Sequence, residues 1–372
     1  MKILISAISR FQKPSGICRH AANIAAGLKQ ANADNEVVLL VADYQEGYFR
    51  SSFDIERTGV ILKPVHLGMN AFERNVFFLK GLSKLANEQG FDILHLSFPV
   101  PMLKSGFKGK VVASIHDMYP FDIPENFGWP RVLFNRMFLV QCVSKSDWLT
   151  CVSSNTHERL VSYFPVAEQK ASVIYNSIDF NSVTPQKPKE DRIAAESFVL
   201  AVAQHRKNKN IDLLLKAIDE LTKVDPQRFK QLVIVGSQGP ETASLMKAVS
   251  AMSLEDKAIF LPAISDAELA WLYSNARVFV NASSFEGFCI PVVEALHFGA
   301  AAVCSDIKIH REIGQDRCRY FKLEEGAAGL VQAIQATDIS ECRQTGVIDE
   351  RFSRLKIGRQ YQDVYEKLLG EC

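Results

Sequence analysis

The chain is expected to fold as two doubly wound α/β domains, each a parallel sheet with helices on both faces. Three observations carry this expectation. Short apolar runs alternate with longer segments of helical period and hairpin signals are few, the pattern of parallel strands joined by crossover helices. The alternation stops at a polar stretch from Asn181 to Asp191, which holds Pro185 and Pro188, and then starts again. The length of 372 residues exceeds what one hydrophobic core usually fills.

In order, residues 2–8 read as the first strand and 15–33 as the first helix. The alternation continues through runs at 36–42, 72–88, 93–96, 110–115, 129–143 and 148–152, and the run 171–175 closes the half. The period of 72–88 and 129–143 is helical, and the short runs are strands. After the linker, strands are expected at 197–203, 231–235, 258–261 and 278–281, with helices at 211–223 and after Pro240. The last helix, from about Phe352 to Leu369, places Ile357, Tyr361, Val364, Tyr365 and Leu368 at helical spacing. The expected division is an N-terminal domain at 1–180, a C-terminal domain at 181–351 and a helix at 352–372 that packs back towards the N-terminal domain. Open α/β sheets bind ligands at the carboxyl ends of their strands, so function is expected in a cleft that two such sheets face.

Composition narrows the function classes. Lys and Arg number 43 against 42 Asp and Glu, a net charge of +1, which gives no sign of a nucleic-acid partner. The eight cysteines are scattered without a CxxC pair, against structural zinc and a disulfide framework and in keeping with reduced thiols in the cytoplasm. Arg10 and Lys13 follow the short apolar start at once, which reads as a strand and not a signal peptide. No apolar stretch approaches the ~20 residues that span a bilayer.

The segment from Ser283 to Leu296 carries the most chemistry. Pro291 suits the first position of a helix, so Phe288, Cys289 and Ile290 would present backbone amides at a positive helix end, with Glu286 on the loop before it. Such a turn can hold hydroxyls and phosphates together. Glu294, near the first turn, can accept two hydrogen bonds from a diol such as a ribose. Glu286 and Glu294, in Glu-Gly-Phe-Cys-Ile-Pro-Val-Val-Glu-Ala, resemble the E-x7-E signature of retaining GT-B glycosyltransferases, above all glycosyltransferase family 4. The resemblance runs over nearly the whole chain. It implies two Rossmann-like domains in a GT-B arrangement, a nucleotide-diphosphate sugar as donor substrate with no further cofactor, Glu286 on donor-sugar hydroxyls and Glu294 on the ribose. The bland alternative keeps Glu286 as a solvated loop residue and Glu294 as a helix-dipole partner.

The cluster Gln204-His205-Arg206-Lys207-Asn208-Lys209-Asn210 follows a strand and precedes a helix, where cations would neutralise a diphosphate. Lys209 is similar to the family's phosphate lysine. Arg206 is displaced from the arginine position, and Gln204 stands nearer to it. Ser114-Ile115-His116-Asp117, before a loop with Pro120 and Pro124, resembles the family's strand-end histidine beside the donor sugar. Gly16 lies between the first strand and first helix, where its amide could approach the diphosphate, although many relatives have Gly-Gly and this chain has Ser15-Gly16. The same loop lacks GxGxxG, against a nicotinamide dehydrogenase. Gly236 and Gly239, and the turn from Tyr175 to Asp179, read as architecture.

The resemblance implies retention by front-face attack, with the departing phosphate helping to deprotonate the acceptor; no enzyme nucleophile is evident. The stretch from Ser305 to Glu312 is similar to a form found in mannosyl- and rhamnosyl-type bacterial enzymes and implies GDP-mannose. The implied acceptor is a growing polysaccharide or a lipid-linked oligosaccharide, with the N-terminal domain as the acceptor side and the C-terminal domain binding the nucleotide sugar. Metal independence is expected, because no Asp-x-Asp occurs and no His/Asp/Glu cluster has metal spacing, leaving Lys209, Arg206 and the helix-end amides to neutralise the leaving group. Trp129, Val132, Leu133, Met137 and Val140 alternate with Arg131 and Arg136, and Lys104, Lys108 and Lys110 lie nearby. This segment is either a peripheral contact with an anionic membrane or an ordinary buried helix with a solvated edge. A nucleotide-sugar epimerase or hydrolase of the same fold, and an inactive sugar-nucleotide-binding protein, are the competing readings.

Overall fold

The computed structural model describes residues 1–10, 12, 16–53, 55–178, 183–262, 264–337 and 349–370. The chain divides into two compact units, one of Met1–Asp179 with Glu350–Cys372 and one of Phe180–Asp349.

Among the described residues the first unit holds seven strands: β1 Lys2–Ser6, β2 Glu36–Ala42, β3 Ile61–Val65, β4 Ile93–Leu96, β5 Lys110–Ile115, β6 Trp148–Cys151 and β7 Ala171–Val173. They pair in the order β3-β2-β1-β4-β5-β6-β7, every neighbour parallel. Strands buried on both faces need apolar side chains on both, and Val-Val-Leu-Leu-Val-Ala of β2 supplies them. Alternation then divides β1 between two cores: Leu4 packs on one face with Phe78 and Leu82, and Ile3 and Ile5 pack on the other with Ile24 and Leu28. β3 escaped the sequence reading. It is an edge strand, half exposed and interrupted by Pro64, so it shows neither an apolar run nor strict alternation. The helical run at 72–88 is two helices, Ala71–Val76 and Leu82–Glu88, joined by one wide turn at Phe77–Gly81.

The second unit repeats the plan with β8 Phe198–Val202, β9 Gln231–Val235, β10 Ala258–Leu261, β11 Val278–Asn281, β12 Ala302–Ser305 and β13 Cys318–Phe321. Their order is β10-β9-β8-β11-β12-β13, again parallel throughout. Helix Ile211–Val224 turns Ile211, Leu214, Leu215, Ile218 and Leu221 into the core, one stripe at helical period. Helix Asp266–Asn275 starts with a capping box in which Ser265 and Glu268 satisfy each other's backbone amides. In both sheets the strand order reverses direction beside the first strand, at β1/β4 and at β8/β11. The crossover helices diverge there and leave a crevice at the carboxyl ends.

The last helix, Arg354–Leu369, belongs to the first unit. Ser353 caps it, so it starts two residues later than the apolar spacing indicates, and Phe352 is buried in the turn before. Ile178 and Ser353 form a parallel bridge where the chain re-enters. The helix packs on helix Gly16–Ala31 through glycines: a Cβ on Gly358 would stand 2.1 Å from the Gly27 carbonyl oxygen. Alanine ordinarily favours a helix over glycine by ~1 kcal/mol. Here the added methyl overpacks a backbone contact, and Gly358→Ala is expected to destabilise by ~1–3 kcal/mol. Gly47→Ala, where a Cβ meets nothing within 4 Å, serves as the control and should be neutral or slightly stabilising in urea unfolding.

Candidate active site

At the β8/β11 reversal two loops meet. The loop after β8 carries Lys209 and the loop after β11 carries Glu286. Asparagines clasp them: Asn208 Nδ2 donates to Phe285 O at 3.1 Å, Asn210 Nδ2 donates to Ala282 O at 2.8 Å, and Ser284 N donates to Asn208 O at 2.9 Å. Asn210 takes a left-handed conformation, φ 48°, to start the next helix, a backbone state asparagine tolerates. From the other side the loop after β9 lies directly on the loop after β8, since a Cβ on Gly236 would stand 2.0 Å from Ala203 O and one on Gly239 2.3 Å from His205 O. Close approach of backbones is the reason for both glycines.

The clasp sets Lys209 Nζ 2.5 Å from Glu286 Oε1, to which Ser283 Oγ also donates at 2.8 Å. Both charged side chains are largely buried, 17% and 10% exposed. Burial pushes the Glu286 carboxyl up, but Lys209, His310 and Ser283 together outweigh it, and the group is held below the usual range as a carboxylate. Ser305 Oγ donates to Ser283 O at 2.5 Å and lies 3.1 Å from His310 Nδ1, which supports the same loop from β12.

Cys289 precedes helix Ile290–His297 in a left-handed conformation, φ 70°. Phe288, Cys289 and Ile290 thus stand at the helix start, with Pro291 second in the helix and not first. Burial first, and Glu286 next, push the Cys289 thiol well above its ordinary value, so it stays protonated at neutral pH. Glu294 is the fifth residue of that helix, one residue deeper than a start at Pro291 indicates. Its Oε2 accepts from Tyr273 OH at 2.8 Å, both groups buried. Tyr273 escaped the sequence reading, and Ser283, at the head of the singled-out segment, was given no role there.

Arg206, on the same loop as Lys209, bonds within the loop. Its Nε donates to Gln204 Oε1 at 2.7 Å, and the cation on Glu286 is Lys209. A second difference concerns metals. The sequence shows no metal-spaced cluster, yet Glu286, Cys289 and His310 bring ligand-type atoms within 4.8 Å of one another. Two strand-end loops and a helix converge there, which linear spacing does not reveal. Lys209 and Ser283 already engage Glu286, and Asn281 Nδ2 donates to Cys289 Sγ at 2.9 Å.

Two further candidates lie on the first unit. Gly16 is the exposed first residue of helix Gly16–Ala31; Pro14 and Ser15 lie outside the described residues. His116 follows β5. Its Nε2 is 2.8 Å from the Ser97 carbonyl oxygen, an acceptor only, so Nε2 carries the proton and Nδ1 the lone pair. Burial lowers this imidazole to about 4, against the opposing pull of the Ser97 bond, and it is neutral near pH 7.

The ion pair makes a stability prediction. Lys209→Met leaves a buried carboxylate unpaired and is expected to cost ~3–5 kcal/mol, whereas Lys209→Met combined with Glu286→Gln should recover much of that loss. A denaturant-unfolding double-mutant cycle measures the coupling, and additive losses would contradict it.

Comparisons with known proteins agree with this architecture. Residues 14–182 match the family described as "Glycosyltransferase Family 4" and residues 183–335 the one described as "Glycosyl transferases group 1", which together span most of the chain. The O-antigen chain mannosyltransferase RfbU of Salmonella typhimurium is 29% identical over 63% of this chain and 61% of its own length. A Campylobacter jejuni enzyme named N-acetylgalactosamine-N,N'-diacetylbacillosaminyl-diphospho-undecaprenol 4-alpha-N-acetylgalactosaminyltransferase is 31% identical over 47% of this chain and 46% of its own. The chain thus aligns with less than two thirds of the length of either relative. Among solved structures, Anabaena HepE in complex with UDP and glucose superposes with a TM-score of 0.72 at 18% identity, over 99% of this chain and 100% of that one, a likeness of fold. Two parallel-sheet α/β units, a Lys209–Glu286 pair at the strand reversal and these family matches lead to one conclusion: the chain belongs to the group 1, family 4 type glycosyltransferases and has their GT-B fold.

Proposed function

We propose that this chain transfers mannose from GDP-mannose to a saccharide or lipid-linked oligosaccharide acceptor, with retention of configuration and without a metal or other cofactor. The observation that carries the reading is the buried Lys209–Glu286 pair at the β8/β11 crevice, with Glu294 on the helix that follows. The carboxylate of Glu286 accepts hydrogen bonds from donor-sugar hydroxyls, and Glu294 holds the ribose beside Tyr273. Lys209 and the amides of Phe288, Cys289 and Ile290 take the diphosphate. From the first unit, the family pattern assigns His116 to the donor sugar, with Nδ1 as its acceptor since Nε2 bonds Ser97, and the amide of Gly16 to the diphosphate.

In the reaction an acceptor hydroxyl oxygen bonds to the anomeric carbon on the face the diphosphate leaves. The bond from that carbon to the phosphate oxygen breaks, its electron pair stays on the diphosphate, and the acceptor proton passes to a phosphate oxygen. At an effective dielectric constant of about 20, a cation ~4 Å from a phosphate charge contributes ~4 kcal/mol before desolvation, the role given to Lys209 in place of a metal. The engagement of Glu286 by Lys209 and Ser283 supports that choice. The mannosyl donor is supported by the relative named a mannosyltransferase.

Assays with GDP-mannose and other nucleotide sugars in excess chelator test the reading. GDP-mannose is expected to be turned over at full rate with an α-linked product, and Lys209→Ala should lose about a hundredfold or more. A rate that collapses on chelation and returns with magnesium or manganese would overturn the metal-free mechanism, and turnover of another donor alone would overturn the mannose assignment.

The acceptor side carries an apolar face. Helix Arg131–Lys145 buries only Leu139, Cys142 and Val143, while Leu133, Phe134, Met137 and Val140 are exposed beside Trp129, itself 79% exposed. A groove of about 670 Å³ lined by Leu79, Pro101, Phe121, Leu133, Met137 and Val140 runs along it. The helix has no acidic residue, and its basic ones are Arg131, Arg136 and Lys145. Lys104, assigned by sequence to this basic surface, is instead neutralised by Asp147 at 2.5 Å. Among the described residues no helix is long and apolar enough to cross a membrane. The reading is therefore peripheral contact with an anionic bilayer. Co-sedimentation with phosphatidylglycerol-containing vesicles is expected, with a several-fold loss in Leu133→Ser with Met137→Ser; equal sedimentation of that double variant and the wild type would remove this face from the reading.

A further inference from the structure

Beneath His116 lies a polar cluster in the core of the first unit. His20, from helix Gly16–Ala31, is 4% exposed and sets its ring edge-on to His116, centroids 4.6 Å apart at 80°. Its Nε2 lies 3.0 Å from Ser114 Oγ, on the strand that ends at His116. The same hydroxyl meets His95 Nε2 at 2.9 Å and Thr150 Oγ1 at 3.0 Å, and Tyr365 of the C-terminal helix meets His95 Nδ1 at 2.7 Å. A serine hydroxyl donates once and accepts twice, so Ser114, which Tyr361 of the C-terminal helix also reaches, has its hydrogen-bonding capacity filled. Four segments distant in sequence thus meet on one oxygen two residues before His116.

A buried imidazole is a costly way to fill a core, and a leucine would pack on the neighbouring alanines at less expense. The histidine adds direction. Anchored on Ser114, the His20 ring stands edge-on against the His116 ring, whose Nε2 bonds the Ser97 carbonyl. That bond leaves Nδ1 of His116 as the acceptor of the ring. The charged form is disfavoured in all three rings: burial, His116 and His95 lower His20 well below its ordinary value, burial and His116 bring His95 to about 3, and burial brings His116 to about 4. Tyr361 and Tyr365, whose hydroxyls burial holds protonated, face the cluster from the C-terminal helix.

We infer that His20 is a positioning residue for His116, holding it in one rotamer and one tautomer, with Nε2–H on the Ser97 carbonyl and Nδ1 free to accept a hydrogen bond. The inference deepens the reading of His116 given above and rests on it for its part in turnover. The tautomer is tested separately. In the full chain labelled with 15N-histidine, the His116 nitrogens are expected to report a fixed Nε2–H form near pH 7. His20→Leu should replace it with an averaged or Nδ1–H form, and lower kcat about tenfold or more with nucleotide KM within about twofold. His20→Phe, which keeps a ring edge without the Ser114 anchor, should recover part of both. Unchanged His116 nitrogen shifts in folded His20→Leu would overturn the inference. If His20→Leu does not fold, Ser114→Ala carries the same expectation and the same overturning result. Shifted nitrogens with full activity support the positioning and overturn instead the role of His116 in turnover.

Discussion

Parallel pairing is the constraint on which the rest depends. All the paired strands of both sheets run the same way, so each must be followed by a crossover, and helices cover both faces of the sheet. Strand interiors are thereby committed largely to apolar packing, with His95, Ser114 and Thr150 as buried polar exceptions that satisfy one another. Polar chemistry is pushed to the carboxyl ends, where loops such as those holding Lys209, Glu286 and His116 emerge. The reversal of strand order decides which two loops are neighbours. β8 and β11 are 75 residues or more apart in the chain, yet they pair, and the Asn208 and Asn210 clasps follow from that pairing.

The two units meet the cost of burying polar groups in opposite ways. In the second unit a full charge is kept: Glu286 stays a carboxylate because an ammonium and a hydroxyl reach it, and removing the ammonium alone would leave desolvation uncompensated. In the first unit three imidazoles are kept neutral, and their hydrogen bonds are shared through one serine hydroxyl and the Ser97 carbonyl. A charged centre suits a leaving group that gains charge. A neutral acceptor suits a hydroxyl that must be oriented without being ionised.

Much of the fold was legible because it rests on periodicity. The apolar runs at β1, β2, β8 and β9 and the stripe of helix Ile211–Val224 read directly as buried strands and an amphipathic helix. β3 was not legible, since an edge strand needs no apolar run and can hold Pro64. Of the site, the residues in local motifs could be read: Glu286, Glu294 and Lys209 stand in short patterns with Gly, Pro and a strand end. The partners that set their state could not. Tyr273 and His310 reach the glutamates from other helices, and the Gln204–Arg206 contact is one that no pattern announces.

The sequence by itself determined the number of domains, the parallel α/β class, the family resemblance and the loops that carry charge, because each depends on residues near one another in the chain. Only the tertiary structure decided which charges meet and in what protonation state, that Cys289 and His310 join Glu286, and that His20, His95 and Tyr365 converge under His116. Those outcomes depend on distance and burial through space, and strand order, which sets both, leaves no mark in local spacing.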